Sequence, residues 1–366
     1  MYFISTGQRT RAAEHWFPIS KDDRRARILV CAFFAAMVVL QASMGFGAMT
    51  DGSSWPAFGF ALGGLPDGSN LKSVQTATGL RPRLVLFYLQ WPPDPKNGVF
   101  PERALRSIDV SGAIPILSWE PMFSDPEQRE QMISADSIVT GNYDAYLKRF
   151  ARESRQFGKP YLIRFAHEMN LARYHWGGDS QEFGPDSTVK YRAMFRHIVE
   201  VFRSEKVTNV SWVFCPNNES APAESWNKIA SYYPGDDVVD VIGLDGYNWG
   251  TTQTRAANGW DSEWRSFESI FAAPLQELRQ IALNKPAAIF ETSSATAGGN
   301  REAWILDALD FAKADGLIAL VWFEVNKELD WRLETDVSPA VRERINHQSA
   351  PASSLFPLLH RPGGTE

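Results

Sequence analysis

The stretch YLIRFAHEMN (161–170) decides the fold. Its first five residues, Tyr161 to Phe165, form a short apolar run interrupted by one charge, Arg164. A polar cluster, His167-Glu168-Met169-Asn170, follows almost at once. Before the run, Tyr143, Tyr146, Leu147 and Phe150 share one helical face, and Pro160 stops that helix. After it, Tyr191, Phe195, Ile198 and Phe202 fall at i, i+4, i+7 and i+11, again one stripe of a helix. Helix, buried strand, polar strand end and helix together make the repeating unit of a parallel sheet.

The unit recurs eight times. Working outward, the other strand candidates are 57–63 (AFGFALG), 84–90 (LVLFYLQ), 114–119 (IPILSW), 210–214 (VSWVF), 239–244 (VDVIGL), 287–290 (AAIF) and 317–323 (LIALVWF). Runs this short and this continuously apolar suit strands covered on both faces. Eight such units predict an α/β protein with a closed (β/α)8 TIM barrel. An open doubly wound sheet is the alternative, but no glycine-rich phosphate loop follows the first run. One domain over 55–346 accounts for the whole pattern.

The ends of the chain are different in kind. Residues 1–27 are polar and irregular, the composition of a disordered cytoplasmic tail. From 28 to 49 there is no charged residue (ILVCAFFAAMVVLQASMGFGAM), while Lys21, Arg24, Arg25 and Arg27 precede it. That is long enough to span a bilayer with the N-terminus inside, or to act as a signal that is cleaved. Either reading exports the barrel, to face the periplasm from an inner-membrane anchor or to be secreted. Residues 347–366, rich in Pro, Gly and Ser, read as a flexible tail.

Net charge is −6, which draws the protein to no nucleic acid. The two cysteines, Cys31 and Cys215, have no metal-ligand spacing and are not expected to pair. Neither a metal nor an organic cofactor is expected, and the chain is expected to be a monomer. The informative excess is aromatic: thirteen tryptophans exceed what packing alone asks for, and flat rings suit the apolar faces of sugars.

In such a barrel the chemistry sits where strands end and βα loops begin. Those ends read Gln90-Trp91, Trp119-Glu120, His167-Glu168, Cys215-Pro216-Asn217, Asp245-Gly246-Tyr247-Asn248-Trp249, Glu291-Thr292 and Trp322-Phe323. Glu168 closes the fourth strand and Glu291 the seventh, so their side chains can converge across the mouth. Two carboxyl groups roughly 5–5.5 Å apart are what glycoside hydrolysis with retention requires. A buried Arg164 needs a carboxylate partner, expected to be Glu291 or Glu120.

IRFAHEMN (163–170), WVFCPN (212–217), VIGLDGYNWG (241–250), IFETSS (289–294) and VWFEVNKELDW (321–331) together resemble glycoside hydrolase family 26. The resemblance covers most of 57–335. It implies a retaining β-glycosidase acting on β-mannan, mixed-linkage β-glucan or β-xylan by double displacement. Glu168 would be the acid/base and Glu291 the nucleophile. His167 would line the site, Tyr247 would hydrogen-bond the nucleophile, and Trp322 would lie under the sugar being cleaved. Trp119, Trp176, Asn248 and Trp249 are further candidates for substrate contact. The 171–176 loop (LARYHW) departs from the family pattern. Arg173 there, in place of an aromatic residue, points to an anionic or non-mannan substrate. A membrane-anchored barrel that binds polysaccharide without cleaving it, as an accessory to exopolysaccharide export, is the competing expectation. Its mark would be loss of one of the two carboxylates.

Overall fold

The computed structural model describes residues 55–333 and 337–355. Residues 1–54, with the apolar run 28–49 and the tail 1–27, lie outside the described residues, as do 356–366. Among the described residues, no helix is long and apolar enough to cross a membrane.

Eight parallel strands close into a barrel: β1 (Ala57–Ala61), β2 (Leu84–Gln90), β3 (Ile114–Glu120), β4 (Tyr161–Phe165), β5 (Val210–Phe214), β6 (Val241–Asn248), β7 (Ala287–Ser294) and β8 (Ala319–Phe323). Each pairs with its sequence neighbours, and β8 returns to β1. A helix follows every strand: α1 (Gly68–Thr78), α2 (Glu102–Val110), α3 (Asp144–Phe157), α4 (Pro185–Ser204), α5 (Ile229–Tyr232), α6 (Phe267–Ile281), α7 (Arg301–Ala314) and α8 (Pro339–Glu343). The predicted barrel is therefore observed. β2, β4 and β5 have the expected limits, whereas β6 and β7 run four residues further, carrying Asp245, Tyr247 and Glu291 inside the strands.

Period-two alternation sorts the strand residues into two layers. Ala57, Leu84, Leu86, Ile116, Leu162, Val213, Val241, Ala288 and Val321 fill the barrel interior. Their neighbours Phe58, Val85, Leu117, Ile163, Phe165, Trp212, Phe214, Ile289 and Leu320 pack outward against the helices. Gly243 is required by a close approach: a Cβ there would lie 2.3 Å from the Phe290 ring that plugs the barrel.

The alternation breaks once, where it matters. Leu244 faces Ile289 across the β6–β7 ladder, but Asp245 faces Glu291, leaving Phe290 as an extra residue. The β7–β8 ladder slips at the same place. By strict alternation Glu291 would share the outward side with Ile289. The bulge instead turns it into the barrel mouth, a use of bulges common beside functional sites.

The C-terminal segment departs from the expected tail. Ser349 bridges to Trp55, its hydroxyl accepts from Phe58 N at 2.8 Å and donates to Pro56 O at 2.9 Å, and Leu355 is buried. Backbone polar groups at the start of β1 need partners, and the residues after 347 supply them.

Candidate active site

The site is organised around Arg164. It lies on the inward face of β4 between Leu162 and the mouth, and is wholly buried. Its Nε donates to Ser118 Oγ on β3 at 2.7 Å. One terminal nitrogen donates to Asp245 Oδ2 on β6 and the other to Glu291 Oε1 on β7. Burial alone would make the guanidinium easier to deprotonate, but Asp245 and Glu291 together more than reverse that, and its pKa lies well above the usual arginine value. Of the two expected partners, Glu291 is found and Glu120 is not. Asp245, not assigned to the site from sequence, is the second.

Glu291 is thus gripped on one oxygen by Arg164, and its other oxygen accepts from the Tyr247 hydroxyl at 2.6 Å. Two charge-assisted donors on the two oxygens fix the carboxylate in direction as well as in position. Tyr247 reaches it because β6 continues past Asp245, so the two residues share the inward face.

Glu168 stands on the turn that follows β4. Ala166 and Glu168 both adopt left-handed backbone, φ 47° and 51°, which costs L-residues energy and is held by the surroundings. The Glu168 amide donates to Cys215 O at 2.9 Å, and Ala166 N to Trp119 O at 3.1 Å. Asn217 Nδ2 donates to Glu168 Oε1 at 2.7 Å. Asn170, buried, places that amide: its side chain accepts from Asn217 N at 2.8 Å and donates to Asn217 O at 2.9 Å. Burial, and then the charge of Glu291, push the Glu168 carboxyl up to about 7. Glu120, at the end of β3, is raised to about 7 by burial foremost.

His167 is buried, its Nδ1 has no partner, and its ring packs against Tyr174 (centroids 4.9 Å apart), Trp176 and Tyr88. Burial, followed by the Arg164 charge, drives its pKa well below 6.5, so it is a neutral imidazole. Tyr88, inward on β2, has a buried hydroxyl beside the Glu291 carboxylate. His167, Asp245 and Glu291 present ligand atoms within 4.8 Å of one another, but the Arg164 cation already bridges the two carboxylates. Any ion there would have to displace it.

The other expected contacts divide. Trp176 is buried, donates to His167 O at 2.6 Å, and stacks on Tyr174 at 5.0 Å, so it supports the histidine from behind. Trp249 is half-buried at the mouth, 5.0 Å from Trp331. Three expectations need correction. Trp119 and Trp322 fall on the outward parity of β3 and β8. Trp119 stacks on Phe150 of α3, and Trp322 packs on Trp304 of α7, so both fill the strand–helix layer. Asn248 is buried with its polar atoms committed to Ser294, Gly250 N and Arg265 N. Trp331, unassigned from sequence, is buried and packs 5.2 Å from Tyr247. Arg173 is engaged as well, in a bidentate pair with Glu130 at 3.0 and 3.1 Å.

Fold and site together define a (β/α)8 barrel with two carboxyl groups at its mouth, one clamped by a guanidinium and a hydroxyl, the other raised to about 7 by burial and the first one's charge. Residues 131–278 match the family described as Glycosyl hydrolase family 26. Endoglucanase H of Acetivibrio thermocellus is 34% identical over 331 residues, 89% of this chain and 34% of that protein. A mannan endo-1,4-beta-mannosidase of Bacillus subtilis is 24% identical over 180 residues, 48% of this chain and 42% of that one. The chain thus spans between a third and a half of the length of these relatives. Among solved structures, the modular endo-beta-1,4-mannanase of Cellulomonas fimi superposes with TM-score 0.58 at 17% identity, covering 84% of this chain and 74% of that one. The GH26 endo-beta-1,4-mannanase catalytic domain of Bacillus sp. JAMB-750 superposes with TM-score 0.57 at 19% identity, covering 82% and 88%. Over residues 131–278 the chain carries the pattern of glycosyl hydrolase family 26, and its barrel has the fold of these solved relatives.

Proposed function

We propose that this chain is a retaining β-glycoside hydrolase, with Glu291 as nucleophile and Glu168 as acid/base, cleaving a β-linked polysaccharide of β-glucan type in preference to β-mannan. The observation that carries this reading is the unequal treatment of the two carboxyl groups. Glu291 is held as an acceptor between Arg164 and Tyr247, while Glu168 keeps its proton to about pH 7. A carboxyl group raised by burial, opposite one tied down as an acceptor on both oxygens, is the division of labour between acid and nucleophile.

In the first step Glu168 gives its proton to the leaving glycosidic oxygen. Glu291 attacks the anomeric carbon, the C–O bond breaks, and a glycosyl ester forms. The ester carries no charge, so one of the two causes that raise Glu168 disappears. Glu168, now a carboxylate, takes a proton from water; the water oxygen attacks the same carbon and the ester bond breaks, returning Glu291 to its ionised state. His167 Nδ1, buried without a partner, is suited to a sugar hydroxyl.

The glucan preference is supported by the relative named an endoglucanase, which matches 89% of this chain, against 48% for the Bacillus subtilis mannosidase. Arg173, neutralised by Glu130, gives no support to an anionic substrate. Retention of both carboxyl groups disfavours a barrel that binds sugar without cleaving it. Residues 28–49 serve in this reading as a membrane anchor or an export signal, supported by their length and flanking charges. Cell fractionation with N-terminal sequencing distinguishes the two.

The test is reducing-sugar release by the full chain on mixed-linkage β-glucan, β-mannan and xylan, beside Glu291→Ala. Release abolished in the variant supports the reading, and activity that survives Glu291→Ala contradicts it.

A further inference from the structure

The wall of the mouth on the Tyr247 side continues beyond the two carboxyl groups. Trp331, 1% exposed, is anchored through its backbone carbonyl, which accepts from Trp322 Nε1 at 2.8 Å, Arg301 at 2.6 Å and Ser293 Oγ at 3.1 Å. Trp249 meets it edge-on, centroids 5.0 Å apart at 84°. Trp260 meets Trp249 in turn at 5.8 Å and 81°. Tyr247 lies 6.4 Å from Trp249, and Trp249 5.8 Å from Trp260, so partly exposed rings step outward from the residue that holds Glu291, with Trp331 buried against the first two.

Trp260 stands at the outer end, 44% exposed, the only tryptophan among the exposed large apolar residues described. Its loop is closely tied. Ser262 N donates to Gln253 O at 3.1 Å, Gln253 N to Ser262 Oγ at 3.0 Å, and Arg255 N to Asp261 Oδ1 at 2.6 Å. Gly259, at φ +81°, makes the turn immediately before it. An indole held out to water on an ordered loop leaves apolar area uncovered, which a ligand face would remove from water.

We propose that Trp249 and Trp260 form a sugar subsite remote from the cleaved bond, binding a pyranose unit of the same β-linked chain. The occupant follows from continuity. The surface begins at the tyrosine that holds Glu291, and an extended glycan lying in the mouth is the ligand that would span from there to Trp260. A pyranose offers the flat C–H face that an indole stacks on, with hydroxyls at its rim free to remain in water. This inference rests on the proposed glycosidase reading, and it deepens that reading by making the enzyme selective for long chains.

The test compares the full chain with Trp260→Ala on soluble mixed-linkage β-glucan and on an aryl β-glucoside. The ratio of kcat/KM for polymer over aryl glycoside is expected to fall about tenfold, the loss of one stacked ring. A second measurement does not need turnover: retardation of Glu291→Ala in gels containing β-glucan, with and without Trp260→Ala. Weaker retardation in the double variant supports the subsite; equal retardation, or none in either protein, overturns it. If the native chain cleaves no substrate while Trp260-dependent retardation persists, the hydrolase reading falls and the subsite stands. If cleavage proceeds and the polymer-to-aryl ratio is unchanged by Trp260→Ala, the subsite falls alone.

Discussion

The Tyr247 hydroxyl donates to Glu291 Oε2 at 2.6 Å, on the oxygen that Arg164 leaves free. A hydrogen bond to a charged group contributes about 1.5–3 kcal/mol, or roughly 10- to 100-fold in rate when it orients a nucleophile. Tyr247→Phe is therefore expected to lower kcat on β-glucan by that factor, since the ring stays in place against Trp331. A kcat within twofold of the native enzyme would remove Tyr247 from the mechanism.

Glu168 must carry its proton at the start of the reaction, and it does so up to about pH 7. Activity is expected to fall as pH rises through that value. Asn217 donates to the Glu168 carboxyl and favours its ionised form, so removing the amide raises the pKa. In Asn217→Ala the alkaline limb of the pH–rate profile should move to higher pH. In Glu291→Gln, which deletes a neighbouring negative charge, carbon NMR of the labelled Glu168 carboxyl should titrate lower. A limb that stays put or moves down in Asn217→Ala would reverse the sign of this account.

Arg164 bridges Asp245, Glu291 and Ser118 with three different nitrogens in a fully buried position. Taking it away leaves two buried carboxylates facing one another without a cation. Arg164→Met is expected to cost about 3–5 kcal/mol in urea unfolding. Arg164→Lys should restore little, because one ammonium cannot present the planar fork that reaches three partners. A native midpoint in the lysine variant would show that charge alone suffices.

Trp322 contributes its indole N–H to Trp331 O, and its ring packs outward on Trp304. Trp322→Phe removes the donor and part of a buried bicyclic ring, so stability should fall by about 1–3 kcal/mol while KM stays within twofold. A tenfold rise in KM at unchanged stability would put Trp322 in the cleft after all.

How far the chain could be read from its letters depended on how local the signal was. The barrel was legible because each strand is a short apolar run flanked by helical stripes, and each run is complete within a few residues. Glu168 was legible because it follows its strand at once. Glu291 was legible for a reason that alternation does not supply: its inward aim depends on the bulge at Phe290, which composition does not reveal. Trp119 and Trp322 were misplaced because strand-end position was weighed without parity, and each sits one residue off the inward face. Asp245 and Trp331 were missed because their partners lie far along the chain. Arg164 and Asp245 are 81 residues apart, and nothing near either names the other.

The claim on which everything else depends is that Glu291 becomes covalently bound to the sugar. Incubation of the full chain with an activated 2-deoxy-2-fluoro-β-glycoside, followed by peptide mass spectrometry, tests it most directly. The account predicts one fluoroglycosyl group on the peptide carrying Glu291, slow release into water, and no label in Glu291→Ala. A label on another residue, or turnover of β-glucan with inversion at the anomeric carbon, would contradict it.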